Sequence, residues 1–187
     1  IWNILMWMMI YKNKIGNILS YKSLGSLLLC FLLFTISSCR TMTPSYDYKS
    51  LAQASMRLGV DIDMEDNHHL YIESSKWIKT PHRFGGVTQI GVDCSGFTQH
   101  IYQTVYRKKI PRNSHQQYIK SQKVTKNRLR EGDLVFFSTS RTRKQVNHVG
   151  IYLKNNLFIH TSSSKGVMVS NLNESYFKRN WISGGRY

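Results

Sequence analysis

The sequence predicts an α+β fold in which an antiparallel β-sheet packs against helices from the N-terminal half. Apolar residues recur at helical spacing through the first half of the 187-residue chain. From about residue 133 onwards they are replaced by short β-rich segments that turns separate. Helices followed by strands, rather than alternating with them, are typical of this class. The 41% hydrophobic content excludes a wholly disordered chain.

The first 38 residues are predicted to be an export signal. They contain three lysines and no acidic residue, and Leu24–Ile36 is a short run rich in leucine and phenylalanine. This run is shorter than the roughly 20 apolar residues of a membrane-spanning helix. It ends at Ile36-Ser37-Ser38-Cys39, which resembles a bacterial lipobox and implies lipidation of Cys39. The alternatives are an uncleaved anchor and a chance cysteine. The chain does not begin with Met, and Met9 is one candidate start.

Removal of this segment would leave 149 residues with a net charge of +13, compared with +16 for the whole chain. Cys94 would then be the one cysteine besides Cys39, so no internal disulfide is expected. The charge is uneven, with −1 over residues 39–100 and +14 over residues 101–187. Such charge favours nucleic acid or another anionic surface. The export signal and the lack of a compact aromatic and basic platform argue against nucleic acid.

The helical part is predicted to begin after a polar tether at residues 39–50, which connects to a domain at residues 51–187. A first short helix ends at Gly59, and apolar residues between positions 70 and 78 predict a second. A polar helix is expected from Pro111 to about Ser121.

The principal helix is predicted over Asp93–Arg107. Asp93 is a good N-cap, which places Cys94 in the first turn. The backbone N–H groups and the dipole at a helix N-terminus favour a thiolate, although a nearby Asp93 carboxylate opposes it. A cysteine in this position is also common as core filling. The stripe that faces the core consists of Phe97, Ile101 and Val105.

Five strands are predicted in the second half of the domain. They cover Asp133–Ser138, Val146–Leu153, Leu157–Ser163, Gly166–Ser170 and Ile182–Tyr187.

The second and third of these strands are predicted to form a hairpin whose register brings two histidines together. Side chains alternate along a strand, so the apolar residues of both strands share one face only with a three-residue loop at Lys154–Asn156. Asparagine accommodates the left-handed backbone that such a loop needs. In this register His148 and His160 are diagonal neighbours on the other face. The opposing apolar pairs are Leu153 with Leu157 and Ile151 with Ile159.

Cys94, His148 and His160 together could supply a nucleophile, a base and a group that orients the base. This requires the principal helix to pack against the histidine face of the hairpin. Two alternatives remain open. The histidines could be a surface pair without a role, or the three residues could bind zinc, although no fourth ligand is evident. No cofactor and no metal are predicted.

Four motifs, in order and with the right spacing over roughly residues 70–187, resemble the NlpC-type family of bacterial cell-wall cysteine peptidases, which share a papain-like core. The resemblance implies Cys94 as nucleophile, His148 as base and His160 as the orienting residue. The motifs are Gly91–Phe97, Arg130–Phe137, His148–Tyr152, and Phe158–Thr161 followed by Gly166-Val167.

The resemblance also implies a substrate, the peptidoglycan stem peptide, cleaved typically between D-γ-glutamyl and a diamino acid. Asp93 and Ser95 would help to bind the free amine of the peptide, although Asp93 could be a helix cap only. His82 stands where the family commonly has a tyrosine near the nucleophile.

The expected protein is therefore a monomeric lipoprotein endopeptidase. Arg40, directly after Cys39, weakly favours the outer membrane, facing the periplasm. A catalytically weak or inactive cell-wall binding protein is the alternative.

Overall fold

The helices lie mainly in the first half of the domain, as predicted. The computed structural model describes residues 47–140 and 145–187. The predicted export segment and Cys39 lie outside these residues. Helix α1 spans Tyr48–Leu58, α2 His68–Ser75, α3 Cys94–Val105, α4 Ser114–Lys120 and α5 Ser175–Asn180, and a 3-10 turn covers Lys126–Arg128. Within the described ranges, no helix combines the length and apolar character needed to cross a membrane.

Helix α1 begins inside the segment predicted to be a tether. The Asp47 side chain accepts a hydrogen bond from the Ser50 backbone N–H and caps the helix, and Gly59 ends it with φ of 65°. The structured domain therefore begins a few residues before position 51.

The strands form one antiparallel sheet and a separate short hairpin. They are β1 Val87–Thr88, β2 Gly91–Val92, β3 Gln122–Val124, β4 Leu134–Phe137, β5 His148–Tyr152, β6 Leu157–Ser162, β7 Gly166–Asn171 and β8 Trp181–Arg186. The sheet has the order β3-β8-β4-β5-β6-β7, and β1 pairs with β2 in the hairpin. All five predicted strands are present in the described residues. Strands β1, β2 and β3 and helix α5 were not predicted, because each is too short to show a periodic pattern.

The predicted register of the β5–β6 hairpin is confirmed. Ile151 is opposite Ile159, and the backbone N–H of Leu153 donates to the carbonyl of Leu157 at 2.9 Å. The loop residues Asn155 and Asn156 have φ of 51° and 64°, so asparagine takes the left-handed conformations as expected.

The packing of α3 corrects one expectation. The helix covers the apolar face of the β5–β6 hairpin and not the histidine face. Its buried residues Phe97 and Ile101 lie in one core cluster with Val149, Ile151 and Ile159. The physical reason is burial, since each large apolar side chain removed from water contributes about 1.5–3 kcal/mol. The histidine rings instead contact aromatic rings on the opposite face, from Phe137, Phe158 and Phe177.

Candidate active site

The N-terminus of α3 presents Cys94 to a cleft of about 840 Å³. Asp93 caps the helix as predicted, because its carboxylate accepts a hydrogen bond from the Gly96 backbone N–H at 2.7 Å. His148 and His160 line the same cleft. Cys94 lies at the end of the helix, where its thiol has a hydrogen bond to the backbone of Val149 in β5, so it enters the same cleft without the helix covering the histidine face. The structure thus brings together the three residues predicted to be catalytic.

The two histidines form a direct hydrogen bond. Nε2 of His148 lies 2.9 Å from Nδ1 of His160, and the rings are almost perpendicular at 89°. The predicted histidine pair is therefore confirmed. Nε2 of His160 is in turn 3.0 Å from Oγ of Ser170, a residue for which the sequence predicted no role.

Burial keeps both imidazoles neutral. It lowers the pKa of His148 to about 4, and the nearby His82 lowers it further in the same direction. Burial, followed by the charge of His148, lowers the pKa of His160 to about 3. A neutral imidazole can accept a proton, so His148 is in the state that a general base requires at neutral pH.

Burial also affects the protonation state of the Cys94 thiol. It raises the pKa of the Cys94 thiol to about 11, and the Asp93 carboxylate acts in the same direction. Backbone hydrogen bonds, chiefly from Val149, oppose this rise without reversing it. Burial and the Asp93 carboxylate therefore oppose the thiolate that the helix N-terminus favours. The raised pKa indicates a neutral Cys94 thiol in the same cleft as the neutral His148 imidazole.

Arg112 is a residue of the site that the sequence patterns did not reveal. Its guanidinium donates to both carboxylate oxygens of Asp93, at 2.8 and 2.7 Å. It also donates to Oγ of Ser95 at 3.1 Å and to the carbonyl of Gly86 at 3.2 Å. Arg112 thus ties the loop before β1 to the start of α3. No sequence pattern predicts an ion pair between residues 19 positions apart, and Arg112 lies in a generally basic stretch.

Asp93 is ionised, and both of its carboxylate oxygens accept hydrogen bonds. Burial disfavours its charge, but the hydrogen bonds from Arg112 and Gly96 outweigh burial and lower the pKa of the carboxyl. Its oxygens also accept from the backbone N–H of Gly85 and the hydroxyl of Ser95. A carboxylate has about four lone-pair sites. A substrate amine would therefore have to displace one of these donors, and the role of Asp93 and Ser95 in amine binding stays a prediction.

Close packing explains two glycines of the sequence motifs. A Cβ on Gly96 would lie 2.5 Å from the carbonyl oxygen of Gly86, where the loop before β1 crosses the first turn of α3. A Cβ on Gly150 would lie 2.7 Å from Cδ2 of Phe158 and 3.1 Å from Cβ of His160. Gly150 is directly opposite His160 in the sheet, so its missing side chain lets the ring of Phe158 and Cβ of His160 approach β5 closely.

The rim of the cleft contains further polar and apolar groups. His82 lines it, as does Phe84, whose side chain is 94% exposed. Lys165 and Glu174 supply charges of opposite sign. Within residues 47–140 and 145–187, no three His, Cys, Asp or Glu side chains are grouped so that they could hold a metal ion.

Comparison with known proteins assigns a family to this arrangement. Residues 79–186 match the NlpC/P60 family. The chain is 45% identical over 110 residues to the probable endopeptidase NlpC of Escherichia coli (strain K12), over 59% of this chain and 71% of that protein. It is 40% identical over 110 residues to the murein DD-endopeptidase MepS/murein LD-carboxypeptidase of the same strain. That match covers 59% of this chain and 57% of the relative, less than two thirds of its length.

A solved structure shares the fold. An NlpC/P60 family protein from Bacillus cereus ATCC 10987 matches with a TM-score of 0.60 and 30% sequence identity, over 68% of this chain and 42% of that chain. The sheet, the helix with the cysteine at its N-terminus and the family match agree with one another. The chain belongs to the NlpC/P60 family and has its papain-like fold.

Proposed function

We propose that this protein is a cysteine endopeptidase that hydrolyses an amide bond in peptidoglycan stem peptides. The observation that supports this most strongly is the 2.9 Å hydrogen bond between His148 and His160, in the cleft that Cys94 also lines. The names of the E. coli relatives, an endopeptidase and a murein endopeptidase, support the reaction and the substrate class.

The chemistry follows from the protonation states. His148 takes the proton of the Cys94 thiol as the sulfur attacks the carbonyl carbon, because no thiolate is present beforehand. The backbone N–H groups and dipole at the start of α3 stabilise the negative charge on the carbonyl oxygen. His148 then gives its proton to the leaving amine, and a thioester forms. Water, deprotonated by His148, hydrolyses the thioester to a carboxylate and restores the thiol.

His160 acts through His148. Its Nδ1 lies 2.9 Å from Nε2 of His148. When His148 carries a proton on Nε2, Nδ1 of His160 accepts that hydrogen bond, holds the ring in place and stabilises the imidazolium that forms in each half-reaction. His160 therefore supplies orientation and stabilisation rather than a proton to the substrate.

The bond proposed for cleavage is the one between D-γ-glutamyl and the diamino acid. The name of one relative refers to a DD-bond, which is a different position in the same peptides. The test therefore uses purified muropeptides that contain both bonds, with mass spectrometry of the products. Fragments cut at the D-γ-glutamyl bond support the proposal, products cut only at the DD-bond reassign the bond, and no cleavage of either contradicts the function.

We also propose that Cys39 carries a lipid that anchors a monomeric enzyme to the outer membrane, facing the periplasm. The lipobox-like sequence supports the anchor, and the +14 charge of residues 101–187 suits the anionic cell envelope. In a bacterial expression host, the wild-type protein should incorporate labelled palmitate and Cys39→Ala should not. Absence of label from the wild-type protein, or equal labelling of Cys39→Ala, would contradict the lipid anchor.

A further inference from the structure

Ser170 extends the histidine pair by one more group. It lies near the end of β7, is only 7% exposed, and places Oγ 3.0 Å from Nε2 of His160. Its neighbour across the sheet is Phe158, whose ring stacks on that of His160 at 5.0 Å. The hydroxyl is therefore held against the imidazole nitrogen that does not face His148.

The order of the hydrogen bonds links the protonation of all three groups. Because Nε2 of His148 is bonded to His160, Nδ1 is the nitrogen left to accept the thiol proton. A neutral His148 with a free Nδ1 carries its proton on Nε2 and donates it to Nδ1 of His160. His160 must then carry its own proton on Nε2, where Oγ of Ser170 is the acceptor.

The opposite order would disable the base. If His160 carried its proton on Nδ1 and donated it to Nε2 of His148, then His148 would be protonated on Nδ1. The thiol would have no acceptor. Oγ of Ser170 supports the productive order, because it gives the buried Nε2–H of His160 an acceptor that the neighbouring rings of Phe158 and Phe177 do not offer. Without this hydroxyl the productive order would leave a buried N–H unpaired.

We propose that Ser170 is a positioning residue that fixes the tautomers of His160 and His148, so that Nδ1 of His148 is free to take the thiol proton. The kinetic consequence rests on the proposed function, whereas the tautomers themselves can be measured without turnover. Ser170 acts through His160 and takes no part in bond making.

The direct test is imidazole ¹⁵N NMR of the full domain. The wild-type protein should show His148 and His160 with their protons on Nε2. In Ser170→Ala a substantial fraction of both should change to the Nδ1–H form. Ser75→Ala is the matched control, because Ser75 is also buried and its hydroxyl donates to a carbonyl, that of Ile72, outside the cleft. Tautomers unchanged in Ser170→Ala would overturn the proposal.

Kinetics with a stem-peptide substrate supply the second measurement. Ser170→Ala should lower kcat about tenfold with KM within about twofold, Ser75→Ala should match wild type, and Ser170→Thr should recover most of the rate because it keeps the hydroxyl. Circular dichroism checks that each variant folds. A lower kcat with unchanged tautomers would also overturn the proposal. If the wild type shows no turnover, the proposed function fails, while the NMR spectra still decide the role of Ser170.

Discussion

At the scale of single residues, the central feature is the resting state of Cys94 and His148. A thiolate–imidazolium pair forms in the free protein only where the histidine has the higher pKa. Here burial raises the pKa of Cys94 to about 11 and lowers that of His148 to about 4, so the order is reversed by a wide margin. The neutral pair is favoured, and the proton moves when the substrate is attacked.

This state predicts the pH dependence of thiol alkylation. The rate at which iodoacetamide modifies Cys94 should stay low from about pH 5 to 8 and rise above about pH 9, as the thiol ionises. Mass spectrometry of the Cys94 peptide measures the rate, and Cys94→Ala provides the background from any other thiol. A fast rate with a plateau between about pH 5 and 8 would show a resting thiolate and contradict the neutral pair.

The contacts of single residues also show which parts of the site could not be predicted from the sequence. Cys94, His148 and His160 could be predicted, since each sits in a periodic element whose pattern determines its neighbours. Arg112 and Ser170 could not, because their partners are brought near by the packing of separate elements. The pKa of Cys94 could not be predicted either, since the sequence indicates a helix terminus but not how deeply the fold buries it.

At the scale of secondary structure elements, the site depends on the β5–β6 hairpin. The alternation of apolar residues is enough to determine its register, because burial allows one register. The same alternation does not determine where α3 packs, and the packing on the histidine face that the catalytic hypothesis required is not what the structure has. The helix follows the apolar face, and Cys94 at its N-terminus lines the same cleft as the two histidines, which are the residues proposed to be catalytic.

The close packing within the β5–β6 hairpin predicts that Gly150→Ala lowers both the stability and the activity of the protein. The new methyl group would lie 2.7 Å from the ring of Phe158, so β5 must shift away from β6 and lengthen the bond between His148 and His160. We expect a loss of about 1–3 kcal/mol in the free energy of unfolding and at least a tenfold fall in kcat/KM. Urea unfolding and muropeptide assays measure the two effects.

Gly59→Ala is the control for this variant. Gly59 has φ of 65° and open space around it, at the end of α1. Its substitution should cost about 1 kcal/mol of stability through backbone strain and leave kcat/KM unchanged. If Gly150→Ala behaved like Gly59→Ala, the packing of Gly150 against His160 would have no catalytic importance.

At the scale of the whole molecule, an ion pair between a partly exposed arginine and a buried carboxylate connects the last strand to the sheet. Arg186 on β8 binds both carboxylate oxygens of Asp133, at 2.7 and 2.6 Å, and the Asp133 side chain is only 3% exposed. Neither residue lines the catalytic cleft. The ion pair therefore stabilises the fold. The sequence motif that contains Asp133, Arg130–Phe137, affects the reaction only indirectly.

Removal of the cation should destabilise the domain without changing the reaction. Arg186→Ala leaves the Asp133 carboxylate buried without its partner, and we expect the free energy of unfolding to fall by about 2–4 kcal/mol. Lys76→Ala, which breaks an exposed pair with Glu73, should cost less than about 1 kcal/mol. Chemical denaturation measures both. Equal effects of the two variants, or a large loss of kcat/KM in folded Arg186→Ala, would contradict this division between fold and site.

The general architecture of the molecule could be predicted, because composition and the periodic spacing of apolar residues indicate the longer helices and strands. The order of helices and sheet, the hairpin and the family resemblance came from the sequence. The strands β1, β2 and β3 did not, because two or three residues contain too few repeats to distinguish a strand from a loop. Helix α5 did not either, because its six residues make less than two helical turns.

The most direct test of the catalytic assignment is the rate of muropeptide hydrolysis by folded Cys94→Ala and His148→Ala. His69→Ala, an exposed histidine outside the cleft, is the control. The assignment predicts that kcat/KM falls at least a thousandfold in both cleft variants, while His69→Ala and the wild-type protein remain equal. Hydrolysis by folded Cys94→Ala at more than about a tenth of the wild-type rate would contradict it.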